Sequence, residues 1–231
     1  MHTLTQTDMH APADRHDIRL RRYGLAAAAL VAPWLIVACN TGWAMAQAAG
    51  ASDETGADAL AAAAAHPALL RNVVLFGMLG ALLMVPATLG AARVAGRGAA
   101  RLAFVAGTLT AAGYACYQAV LLTDLTTLAM VRVGGPMAGF AAVLDTRQQD
   151  AAGTWVFLLF VLGNIVGTFL LGLALWRSRS VARWAAAAVM LWPPMHVAGL
   201  VAGVEWFEVA GAAVQGIGFA AVGVHLLRRT G

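Results

Sequence analysis

Lysine does not occur in these 231 residues, and all fifteen basic side chains are arginine. Charge of any sign is scarce: 11% of the residues carry it, against about 25% in soluble domains. So little polar surface cannot cover a water-soluble domain of this size, which leaves lipid as the solvent for much of the chain. Cysteine is nearly absent too. Cys39 and Cys116 lie in apolar stretches with no CxxC, so no disulfide framework is implied and each reads as a small hydrophobe. Missing as well are a G-x-x-x-x-G-K-[ST] phosphate loop, a G-x-S-x-G elbow, a G-x-G-x-x-G turn and the HExxH, HxxxH and HxxE spacings. No arginine run alternates with aromatics as a single-strand binder requires, so the basic balance of +4 does not point to nucleic acid.

What is present is apolar: 61% hydrophobic residues and a mean hydropathy of +0.74. A hydrocarbon core about 30 Å thick takes about 20 apolar helical residues, and open strands there would leave backbone groups unpaired. The sequence therefore reads as an all-α, polytopic transmembrane helix bundle of six spans, placed at 23–47, 70–92, 102–123, 153–176, 184–204 and 207–227. Together, 23–229 form the transmembrane domain. Twelve of the fifteen arginines fall on one side: Arg15, Arg19, Arg21, Arg22, Arg93, Arg97, Arg101, Arg177, Arg179, Arg183, Arg228 and Arg229. The positive-inside rule makes that side cytoplasmic, giving an N-in, C-in chain. Asp53, Glu54, Asp58, Asp124, Asp145, Asp150, Glu205 and Glu208 fall outside, and Trp43, Trp155, Trp206, Trp176, Trp184 and Tyr23 mark the two interfaces.

Residues 1–22 read as a disordered cytoplasmic segment. Residues 124–152 read as an extracytoplasmic loop capping the outer face, partly helical and either re-entrant or interfacial. Its twelve uncharged residues Val133–Leu144 are too few to span, and an added crossing would invert the later arginine clusters. The first span imitates a secretion signal, with small-residue sites at Ala44-Met45-Ala46 and Ala46-Gln47-Ala48 and a lipoprotein-like Ile36-Val37-Ala38-Cys39. Its apolar stretch is long for a signal core and continues past Cys39, so retention of the span is the expectation.

Polar groups inside the spans are the candidates for function. His196 follows Pro193-Pro194, whose missing N–H groups free the carbonyls of Val189 and Met190. It shares a face with Trp192 and with the GxxxG pair Gly199 and Gly203, which favours a position inside the bundle. The plain alternative is a neutral imidazole bonded to a freed carbonyl or a neighbouring helix. Thr110, Tyr114, Tyr117 and Asp124 form a stripe on span three that either lines a cavity or bonds helices together. Asn164, between Gly163 and Gly167, reads as an amide that bonds across a helix interface or, alternatively, lines a path. Glu205 and Glu208 open span six, where the helix dipole alone would accommodate them. His196, Asp124, Tyr114, Tyr117, Asn164, Glu205 and Glu208 together make a candidate polar pocket in the outer half. No catalytic set, metal site or cofactor is expected.

Three stretches carry a resemblance. His66-Pro67 precedes span two, Leu175-Trp176-Arg177-Ser178-Arg179 ends span four before Arg183-Trp184, and Gly218-Phe219-Ala220-Ala221-Val222-Gly223 runs into Leu226-Leu227-Arg228-Arg229. Over about residues 20–229 the chain resembles a bacterial, largely actinobacterial, six-span membrane protein family catalogued as a domain of unknown function. Its members often carry proline before the Arg-Trp pair, where this chain has Ala182. The resemblance implies a retained first span and no particular activity.

Three functional classes follow: a non-enzymatic accessory or sensory protein of the cell envelope, a small-solute or ion transporter working through His196, and an intramembrane enzyme acting on a lipid or lipophilic substrate. The bilayer is the one partner composition demands. A small-molecule ligand suits the pocket, and oligomeric state is not encoded.

Overall fold

The computed structural model describes residues 11–228. All its elements are helical: α1 (Ala11–Ala48), α2 (Gly56–Ala65), α3 (Pro67–Val133), α4 (Met137–Gln149), α5 (Ala151–Leu162), a π-helical turn (Gly163–Gly167), α6 (Thr168–Ser178), α7 (Arg183–Ala202) and α8 (Trp206–Arg228). Residues 1–10 and Arg229 of the C-terminal arginine pair lie outside the described residues.

At 1.5 Å per residue, a straight α3 would be about 100 Å long, three times the hydrocarbon thickness. It is not straight. Ala99 leaves helical geometry (φ −145°, ψ 50°) and the chain reverses there. Gly107 then packs on Ala92, Gly77 packs on Leu121, and the Gln118 side-chain amide donates to the Met78 carbonyl at 2.8 Å. These contacts make 67–98 and 100–133 two antiparallel arms joined at the Arg97–Arg101 turn. Among the described residues five helices are long and apolar enough to cross a membrane, with α3 counted once and Ala151–Ser178 (α5, the π turn and α6) counted as one.

Small residues set the packing. Gly163 meets the backbone of Gly113, Gly167 meets Thr110, Gly172 meets Met190, and Gly218 meets the Ala185 carbonyl and Val189. With no Cβ in the way, neighbouring backbones come to van der Waals contact, which is how helices associate when lipid is as apolar as their side chains. The resulting core is alanine-rich, closed by Met84, Leu171, Leu175, Val189, Phe219 and Val222. Outside it, Phe104, Trp155, Leu200 and Val201 are largely exposed, as lipid-facing side chains are. Along α5 no residue is buried.

Several expectations need correction. Residues 11–22, read as disordered, continue α1, because extending a formed helix costs little where arginine and leucine follow. The third span, ended at Thr123, runs on as helix to Val133, since no residue before Gly134 (φ 71°) breaks it. The 124–152 segment, read as partly helical, consists of the end of α3, α4 and the start of α5. Asp145 of α4 accepts from the Gly56 N–H at 2.6 Å and so ties this cap to α2, an element the sequence reading did not contain. Gly203 is no packing glycine: it ends α7 at φ 66°, and nothing lies where its Cβ would be.

Candidate functional site

Two polar levels lie in the bundle, and local geometry builds the outer one. Gly203, in the left-handed region, donates to the Gly199 and Leu200 carbonyls and closes α7. The chain turns through Val204 and Glu205, and Glu208 N–H bonds back to the Glu205 carbonyl at 2.9 Å as α8 begins. So short a turn folds the first turn of α8 against the last two of α7. Glu208 Oε1 thereby reaches 2.7 Å from His196 Nδ1, with the two side chains 14% and 20% exposed. The approach is off the angle of a good hydrogen bond, so the two groups are in close polar contact rather than in an aligned bond. One turn inward, the Trp192 indole stacks on the imidazole, ring centres 5.1 Å apart.

Glu205 joins the group from the turn. Gln47, near the end of α1, donates to its Oε1 at 3.5 Å, a long bond. Burial pushes the Glu205 carboxyl up to about 7, and the neighbouring Glu208 adds to the rise, while His196 and the Gln47 bond oppose it. Asp53, beyond α1, is likewise held above the usual carboxylate range by burial, with Glu54 adding to it and a backbone hydrogen bond opposing.

A second wall comes from α3. The Tyr117 hydroxyl lies 3.6 Å from Cys39 Sγ, and its ring stacks on Phe160 at 4.8 Å. Asp124, two turns outward, is exposed, with Asp53 and Arg147 as its charged neighbours. The Arg147 guanidinium also donates to the Ala119 carbonyl at 3.1 Å. Glu208 is close enough to act electrostatically on Cys39 and Tyr117, which links the two walls.

The inner level is buried. Tyr114 faces Gln215, yet neither its hydroxyl nor the Gln215 amide nitrogen closes a well-formed hydrogen bond. Trp192 Nε1 and Thr168 Oγ1 are also buried without partners. An unpartnered buried polar atom costs about 1–3 kcal/mol, so four near mid-bundle are a marked feature.

The candidate residues thus divide. His196, Glu205 and Glu208 come together; Tyr117 and Asp124 form the facing wall; Tyr114 sits deeper. Asn164 does not bond across the interface as expected. Its amide donates to the Phe160 carbonyl of its own helix at 3.1 Å, because the π turn offers that acceptor, while Gly163 and Gly167 make the cross-helix approach. Thr110 also turns back, to the Ala106 carbonyl at 2.8 Å. Gln47 enters the sequence reading only through a cleavage-like motif, and Gln215 does not stand out in it. No spacing rule connects either to a partner on another helix. Among the described residues, no group of three His, Cys, Asp or Glu side chains is placed to hold a metal ion. Comparison with protein-family models, with curated proteins and with solved structures gave no match for this chain.

Proposed function

We propose that this chain is a six-span integral protein of a bacterial cytoplasmic membrane, both ends inside, and that it acts as a non-enzymatic accessory or sensory protein. In this reading a small polar ligand or the external proton concentration is registered by the His196–Glu208–Glu205 cluster. The resemblance to the bacterial six-span family agrees with it. The observation that carries the reading is an asymmetry. Carboxyl side chains and His196 gather where α7 turns into α8 and where α1 ends, while the other end carries arginines and His225 around a core of alanine and large aliphatic side chains. Such an arrangement receives a signal from one side without offering a path to the other.

The unpartnered Trp192, Gln215, Tyr114 and Thr168 beneath the cluster favour a second reading, a transporter of small solutes or ions whose path continues inward through them. Native mass spectrometry of protein extracted gently from its own membrane tests the ligand claim. A stoichiometric small molecule in the wild type, absent from His196→Ala and Glu208→Gln at unchanged helicity, supports a site at the cluster. The same bare mass in all three removes ligand sensing.

A further inference from the structure

The other end of the bundle carries a feature the polar cluster does not explain. A groove of about 520 Å³ runs between α1 and the first arm of α3. Gly24 and Val31 line it on α1, Leu83 and Pro86 on α3, with Arg21 and Arg93 at its end. Gly24 makes the depression: nothing lies within 4 Å of where its Cβ would stand. From Arg21 to Val31, and from Arg93 to Leu83, is ten residues of helix, about 15 Å, which is the depth of one leaflet.

The chemistry of the two ends differs. The floor is apolar and its lining holds no carboxylate. Arg21 and Arg93 are exposed, and neither belongs to an ion pair among the described residues. Two guanidiniums lining one groove attract an anion between them, and their planar forks match a phosphate. An acyl chain suits the groove below. We propose that this groove binds one anionic phospholipid of the adjacent leaflet, its phosphate held between Arg21 and Arg93 and one acyl chain lying over Gly24. A zwitterionic lipid would bring its own cation beside two others. The proposal needs only that the chain is in a membrane, and it stands apart from the His196 cluster.

The test uses the full chain in mixed micelles containing phosphatidylglycerol and phosphatidylethanolamine of matched acyl chains, read by native mass spectrometry. One phosphatidylglycerol per chain is expected in preference to phosphatidylethanolamine. Arg21→Gln with Arg93→Gln should weaken its retention about thirtyfold, from the attraction each guanidinium supplies near a charged surface. Arg97→Gln with Arg101→Gln removes the same charge from the nearby turn and should leave retention unchanged. Gly24→Leu, whose Cβ would meet nothing within 4 Å, puts a side chain into the depression and should lower retention of both lipids. Far-UV circular dichroism confirms that each variant is folded. Equal retention of the two lipids, equal loss in both arginine pairs, no effect of Gly24→Leu, displacement by soluble glycerol phosphate, or a chain dimer in place of the lipid would each overturn the proposal.

Discussion

His196 and Glu208 depend on each other more than on the rest of the bundle. Both are mostly buried, and removing one leaves the other with a poorly solvated polar group. His196→Ala should therefore destabilise the folded chain by about 1–3 kcal/mol, read as a lower melting temperature in detergent; an unchanged melting temperature would mean that the pair is solvated and idle. Glu205 behaves differently because its carboxyl is raised from its usual 4.5 to about 7, by burial first and by Glu208 second. Between those values the folded chain keeps a proton that the unfolded chain releases. Its stabilising contribution is complete below the unfolded value and is lost as pH rises through about 7. The melting temperature should fall from pH 5 to 8, and Glu205→Gln should flatten that slope; a slope identical in the variant assigns it to another group. At this scale the sequence was partly legible. His196 and the two glutamates stood out because ionisable groups are rare in spans. Gln47 did not, since its partner is 158 positions away and is set by how α1 meets the α7–α8 turn.

Helix contacts follow the glycines. An added Cβ at Gly163 would stand 2.4 Å from the Gly113 Cα and 2.6 Å from the Leu109 carbonyl oxygen, both backbone atoms that cannot swing aside. Gly163→Ala should cost about 1–3 kcal/mol as overpacking, whereas Gly24→Ala, where nothing is near, should cost nothing and gain up to about 1 kcal/mol in helix propensity. Chemical unfolding of the two variants side by side checks the contrast, and equal effects would show that the interface yields. Apolar length made the long helices readable. Their ends were less so: α3 passes Thr123 because a charged residue such as Asp124 leaves the membrane without ending a helix. The reversal at Ala99 was legible for a different reason, since Arg93, Arg97 and Arg101 interrupt the apolar run. Gly203 shows the reverse failure, where a spacing that fits a packing motif serves as a helix terminator.

For the whole molecule, the arginine asymmetry and the structure agree on which helix ends lie together. Arg93, Arg97, Arg101, Arg177, Arg179 and Arg183 share one end of the rods, and the His196 cluster, α2 and α4 share the other. Which end faces the cytoplasm is a matter of insertion, not of packing, so it rests on charge alone. Thiol labelling in intact cells tests it directly. In a background carrying Cys39→Ala and Cys116→Ala, single cysteines are introduced by Gln148→Cys and Glu208→Cys at one end and by Gly96→Cys and Ser180→Cys at the other. A membrane-impermeant maleimide should label the first two from outside and the last two only after the cells are opened. Labelling of Gly96→Cys or Ser180→Cys in intact cells, with Gln148→Cys and Glu208→Cys protected, would contradict both the orientation and an outward-facing polar cluster.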